Sequence, residues 1–138
     1  EIKQGLLVLV CAMADDTEIE AEQMASKISK IRIFNDENGK MNKSIKDING
    51  EALVVSQFTL AADTSRGNRP GFSYAAHPEK GEKLYEYFTK KLQETDINCK
   101  MGVFGGDMMV SLINDGPTTI WLDNKDWFIY LHIADKDL

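Results

Sequence analysis

The unbroken apolar run from Gly5 to Ala12 (GLLVLVCA) constrains this chain more than any other feature. A run without polar alternation fits a strand covered on both faces. Helical-period segments offer the cover. Asp15, Asp16 and Thr17 are N-cap candidates, with Glu18 and Glu20 in the first turn. Ile19, Met24, Ile28 and Ile31 keep roughly helical spacing, which predicts an amphipathic helix from Glu18 to about Lys30. A second helix opens at Pro78 and Glu79 and runs to about Glu94, with Leu84, Tyr85, Phe88 and Leu92 on one face.

The other periodic segments read as strands. Glu51 to Leu60 is the best of them; Ile31 to Phe34, Asn98 to Phe104, Met108 to Ile113 and Thr118 to Leu122 are the rest. Asn35 to Gly39 and Asn49 to Gly50 are turns, and Lys40 to Gly50 reads as loop. Ala61 to Ser73 is a long polar loop, of the kind that is functional or mobile in a compact domain. The stretch from Trp127 to Leu131 is apolar enough for one more strand. This order predicts a mixed α/β (α+β) fold without a regular βαβ array, built as a single domain over 1–138.

At 138 residues and 43% hydrophobic content the chain can bury a real core. No apolar run approaches the roughly 20 residues that span a bilayer, and Leu6 to Val10 is too short for a signal peptide. Cys11 and Cys99 lack metal-type spacing and read as buried thiols in a reducing, cytoplasmic setting. The net charge of −6 argues against a protein that grips a nucleic-acid backbone along its length. It leaves room for one that takes in only the end of an RNA, where few phosphates are touched.

Familiar catalytic sets are missing. His77 and His132 show no relation to Ser56 or Thr59 that would make a triad. No cluster has metal-ligand spacing, so neither metal nor cofactor is expected. Chemistry would have to rest on hydroxyls, amides, backbone groups or the substrate. Ser56, Gln57, Phe58 and Thr59 end an apolar run; they are plain strand end or pocket wall. Alternation puts Ser56 and Phe58 on one face and Gln57 and Thr59 on the other, unless the strand bends there. Asn114, Asp115, Gly116 and Pro117 form a tight turn between two strands, or a rigid wall whose carbonyls point into a site. Arg66 and Arg69 are solvated charges or phosphate contacts. Phe104 and Met108 flank Gly105 and Gly106, as core or as a stacking platform for a base.

Taken in order, GLLVL from Gly5, VVSQFTL from Val54, GNRP from Gly67, LYEYF from Leu84, GVF from Gly102 and DMMVSLINDGP from Asp107 resemble the D-aminoacyl-tRNA deacylases. These enzymes strip D-amino acids from wrongly charged tRNA. The likeness covers nearly all of Gly5 to Leu122. Ser56 at the head of its tetramer matches the main deacylase; a related branch begins it with Pro. The resemblance implies a mostly antiparallel sheet or barrel with two packed helices, assembled as a homodimer. It implies that Gly116 and Pro117 of one subunit, joined by a cis bond, wall the pocket of the other and exclude L substrates, with glycyl-tRNA a further substrate. Ser56 to Thr59 would line the pocket and present backbone donors to the ester, Asn114 would bind substrate with them, Phe104 and Met108 would surround the terminal adenosine, and Ala76 would stand beside it. The scarcity of acid–base side chains fits help from the substrate's own ribose 2′-hydroxyl; Thr59 as nucleophile is the alternative.

Family members carry a further strand and hairpin ahead of the position of Glu1, and the tail over 124–138 is atypical. That tail is expected to cover the sheet edge left open. Two other readings compete: a non-catalytic module of the same fold that holds nucleic acid or a partner, and a small-molecule esterase using Thr59 or Ser56.

Overall fold

The apolar run near the start of the chain becomes the middle strand of a five-stranded sheet. The computed structural model describes residues 1–123 and the backbone of 128–134. Its elements are β1 (Gly5–Cys11), α1 (Glu18–Lys30), β2 (Phe34–Asn35), β3 (Met41–Lys43), β4 (Glu51–Ser56), a 3-10 turn (Phe58–Ala61), α2 (Pro78–Gln93), β5 (Asn98–Met101), β6 (Asn114–Asp123) and β7 (Phe128–Ala134). The sheet order is β5-β4-β1-β7-β6, and β2 and β3 form a separate two-stranded ribbon.

The pairing within the five-stranded sheet is mixed. β1 with β4 and β4 with β5 are parallel; β1 with β7 and β7 with β6 are antiparallel. Among the described strands the sheet is open, with β5 and β6 at its edges. The parallel half follows from connectivity. α1 lies in the connection between β1 and β4, and α2 in that between β4 and β5, and a parallel neighbour needs such a crossover. Two βαβ units are therefore present where the sequence reading held no regular array. β7 pairs along the whole of β1 from Gly5 to Cys11, so the tail contributes a strand beside β1.

One face of the sheet holds the core. Leu6, Val8 and Val10 of β1 and Ala52 and Val54 of β4 pack with Met24, Ala25 and Ile28 of α1 and with Leu84, Phe88 and Leu92 of α2. Each large side chain buried this way contributes roughly 1.5–3 kcal/mol. α1 begins as its sequence suggests: Thr17 is the N-cap, and Glu20 closes a capping box with it. Ile19 departs from the expected stripe and is 63% exposed; Ala21 and Ala25 are buried instead. Small residues at those positions let the two helices, which pack on each other, approach closely. Leu7, Leu53 and Val55 lie on the opposite face, where they line a hollow with Ile2, Gly102 and the segment 108–112.

Predicted strands change in extent, and one is absent. Met108 to Ile113 is not a strand; 108–112 border a hollow on the other sheet face and make no ladder pairing. Glu51 to Leu60 stops pairing at Ser56 and tightens into the 3-10 turn. Ile31 to Phe34 yields only the short β2, whose partner β3 falls in the predicted loop over Lys40 to Gly50. No helix of the described residues is long and apolar enough to cross a membrane.

Gly5 fixes where β1 meets β4. Its φ is +158°, and a Cβ there would collide with the carbonyl oxygen of its register partner Glu51. Gly5→Ala is expected to destabilise the fold by at least ~2 kcal/mol, since neither backbone can move aside without opening the pairing. Urea unfolding of the variant against the parent measures this; equal midpoints would mean that the strand start is freely adjustable.

Candidate active site

β1 and β4 end side by side, and their last residues build a hollow. The parallel ladder runs one step past β4, where the Gln57 N–H donates to the Val10 carbonyl at 2.8 Å. The chain then turns. Leu60 N–H donates back to the Gln57 carbonyl at 3.2 Å and Ala62 N–H to that of Thr59 at 3.2 Å, closing the 3-10 turn. The strand therefore bends at the point where alternation had separated Ser56 from its neighbours. Ser56 and Phe58 share the wall of one hollow, as alternation places them, with Val10, Cys11 and Ala12 of β1 and its continuation.

Ala75 and Ala76 form the next wall. They are pinned to β1's continuation by the Met13–Ala75 bridge and by the Ala76 N–H donating to the Ala12 carbonyl at 2.9 Å. Gly81 and Tyr85 of α2 and the ring of Phe104 complete it. The open space is ≈ 320 Å³, counting the part continuous with solvent. Phe104 is half-buried. Its ring lies 5.9 Å from that of Tyr85, and a Cβ added to Gly81 would come within 3.5 Å of it. Tyr85 is itself fixed: its single O–H is shared between the carbonyls of Val54, at 2.7 Å, and Gly102, at 3.0 Å. One phenol thus ties α2 to β4 and to the segment after β5 that carries Phe104.

Of the residues singled out from sequence, Ser56, Phe58, Ala76 and Phe104 converge on this hollow. Gln57 and Thr59 do not line it. They bond each other, Gln57 Nε2 donating to Thr59 Oγ1 at 3.0 Å, and Thr59 is exposed. Phe58 is 58% exposed and packs edge-on against Phe72 at 4.9 Å. Met108 lines the hollow on the other face, against Gly102. Gly116 and Pro117 lie elsewhere again, in a hollow with Gln4, Ile33, Phe34, Asn35, Met41 and Ile48. Their peptide bond is cis, as the resemblance implies.

The expected turn at Asn114 to Pro117 is instead an interruption inside β6. Backbone pairing matches Asn114 with Ala134 and Thr119 with His132, so five steps along β6 (114 to 119) oppose two along β7 (134 to 132). Three extra residues bulge outward. Gly116 and Pro117 are exposed on this bulge. Gly116 has φ +149°, and a Cβ there would stand 2.5 Å from Thr118 Oγ1, so only glycine fits.

Cys11, Tyr85 and Gly81 line the Ser56 hollow and were not anticipated as site residues. Cys11 was legible only as the end of a buried strand, and Tyr85 and Gly81 only as parts of a helix. Cys11 is no nucleophile at neutral pH. Desolvation, and then the nearby charge of the buried Asp16, push its thiol up to about 11. Burial pushes Cys99 up to about 11 and Tyr85 up to about 12. Among the described residues no group of His, Cys, Asp and Glu could hold a metal ion.

The family described as D-Tyr-tRNA(Tyr) deacylase matches residues 1–123 of this chain. A D-aminoacyl-tRNA deacylase of Ruegeria pomeroyi is 63% identical over 119 residues, covering 86% of this chain and 82% of the relative. One of Thermotoga petrophila is 55% identical over 127 residues, 92% and 85% of the two chains. Among solved structures, a c-Myc DNA unwinding element binding protein superposes with a TM-score of 0.83 at 41% identity, covering 89% of this chain and 84% of that one. A probable eukaryotic D-amino acid tRNA deacylase gives a TM-score of 0.59 at 15% identity, over 68% and 64% of the two chains, a likeness of fold.

The two thiols set an alkaline limit on stability. Their ordinary value is 9.0 and the folded value about 11, so the folded chain holds these protons more tightly than the unfolded one. Their contribution is complete below about pH 9 and is lost as pH rises towards 11. Urea unfolding at pH 8, 9.5 and 11 is expected to give a falling midpoint. A flat profile would show that the thiols are solvated in the native protein.

Proposed function

This chain belongs to the D-Tyr-tRNA(Tyr) deacylase family, a family of hydrolases, and on that premise we propose that it hydrolyses the ester linking a D-amino acid to the 3′ end of tRNA. The observation that carries the reading is the convergence of Ser56, Phe58, Ala76 and Phe104 on one hollow at the ends of two parallel strands. Phe104 offers a ring held from behind by Gly81 and Tyr85, which suits stacking of the terminal adenine. Phe58 and Thr59 open a 3-10 turn, and N–H groups at the start of such a turn have no partner within it. They are the donors that would meet the ester carbonyl as negative charge develops on its oxygen. The acidic surface fits a protein that takes in an RNA end and grips few phosphates.

Among the described residues that line the hollow, none is a base. The Thr59 hydroxyl accepts from an amide N–H, which cannot remove its proton. Attack of water on the ester is therefore assigned to assistance from the substrate's ribose 2′-hydroxyl, and Thr59 to the rim. Chiral selection is assigned to Gly116 and Pro117 of a second subunit. Within one chain they lie among Ile33, Phe34 and Met41, away from the Ser56 hollow, so a copy in a homodimer is what would bring them there. The exposed run Val103, Met108, Met109, Val110 and Ile113, with Met109 99% exposed, supports such a partner. Carbonyls of that wall would take the substrate's amino group and leave an L side chain no room. Glycine, with no side chain to exclude, would be admitted as well.

The 41%-identical relative named for binding a DNA element supports a second reading, a module of the same fold that holds nucleic acid without turnover. Release of tyrosine from D-tyrosyl-tRNA and L-tyrosyl-tRNA separates the two. Release from the D form alone is expected. Release from neither by folded protein favours the binding module, and release from both removes the chiral wall. Thr59→Ala is expected to keep turnover within a few-fold; its abolition would restore the nucleophile. Phe104→Ala is expected to lower kcat/KM on the tRNA ester by about tenfold or more, from loss of stacking, while sparing simple esters.

A further inference from the structure

Asn114 touches the bulge, and touches it twice. Its side-chain oxygen accepts from the Thr118 N–H at 2.8 Å, and its Nδ2 donates to Thr119 Oγ1 at 3.0 Å. These bonds span the residues that break the β6–β7 register, closing a loop around Asp115, Gly116 and Pro117. Backbone pairing resumes only at Thr119, so between Asn114 and Thr119 the ladder gives the chain no fixed path. The Asn114 amide stands in for it. Below the bulge, Ile33, Phe34, Met41 and Ile48 form an apolar seat lined also by Gly116 and Pro117. The amide closes the neck of the bulge, while Gly116 and Pro117 stay exposed.

We propose that Asn114 is a positioning residue for chiral selection: its amide sets where the Gly116 and Pro117 carbonyls point, and it acts on substrate only through them. This rests on the reading that Gly116 and Pro117 form the wall that excludes L substrates. The resemblance implies direct substrate contact for Asn114; here the oxygen and the nitrogen of its amide each bond within the bulge, which favours action through the wall. A wall that selects by backbone geometry gains from being held on both flanks, since a shift of about 1 Å in such a site can cost 10²-fold. The amide suits the task better than a hydroxyl, because it carries its acceptor and its donor on two separate atoms.

The test uses the purified, dimeric chain and measures the ratio of D-tyrosine to L-tyrosine released from the matching tyrosyl-tRNAs. Asn114→Ala is expected to lower that ratio by about tenfold or more, mainly through L release, because two hydrogen bonds are lost. Thr119→Val removes one bond and is expected to fall between. Asn114→Asp is the rescue: one carboxylate oxygen accepts from the Thr118 N–H and the other from the Thr119 hydroxyl, so the ratio should return close to the parent's. A purely structural Asn114 would lower stability and both rates together and leave the ratio unmoved. A discriminating parent with an equally discriminating Asn114→Ala overturns the clamp; should that variant fail to fold, an unchanged ratio in Thr119→Val overturns it. A parent that releases both isomers overturns the chiral wall and takes the clamp with it.

Discussion

Everything in this molecule is hung on the parallel pairing of β1 with β4. Six consecutive register pairs, from Gly5 with Glu51 to Val10 with Ser56, align two apolar strands whose inner side chains are shut off from water by both helices. Parallel strands end at the same side of a sheet, and in open α/β sheets that side is where the chain leaves the ladder and sites form. Here the leaving residues are Cys11 to Met13 on one strand and Ser56 to Thr59 on the other. The hollow is a product of the pairing: its floor is two strand ends, and its walls are segments that must cross those ends to reach α2.

The walls are held by polar groups chosen for reach. Tyr85 sits on the buried face of α2, and its ring is as apolar as that of Phe88 one turn on. Its hydroxyl adds a link that Phe88 cannot make, to two carbonyls from different segments. The Val54 carbonyl also accepts from the Gly102 N–H at 3.0 Å, so the hydroxyl reinforces a junction that the backbone already makes while locating Phe104. Asn114 does for β6 what Tyr85 does for the hollow. In both places a side chain closes a stretch of backbone that the sheet ladder has released, and the residues proposed to meet substrate are the ones so released.

The hollow and the Gly116–Pro117 bulge are separate in one chain. They become a single proposed site only when a second copy is present, so the apolar surface of the 101–113 segment matters as much as the pocket lining. This also accounts for what sequence reasoning misjudged there. Met108 to Ile113 has the composition of a strand, yet 108–112 border a hollow with Leu7, Leu53 and Val55 and make no ladder pairing. Periodicity reports that residues are apolar; it does not report whether they are paired through their backbone.

Local signals were enough for both helices, for the cap at Thr17 and the opening proline at Pro78, and for the strand from Gly5. Each rests on interactions within a few residues: a cap, a helical stripe, a run with no polar break. The order in which strands pair was not legible, because a ladder joins residues far apart in sequence, and the same apolar run accepts a parallel or an antiparallel neighbour. Nor was the bend after Ser56, where a hydrogen bond from Gln57 to Val10 and a turn of four residues outweigh the β-propensity of Phe58, Thr59 and Leu60. Cys11, Gly81 and Tyr85 entered the hollow for the same reason. What a residue is could be read from the sequence; what it stands beside was decided by the pairing of distant strands.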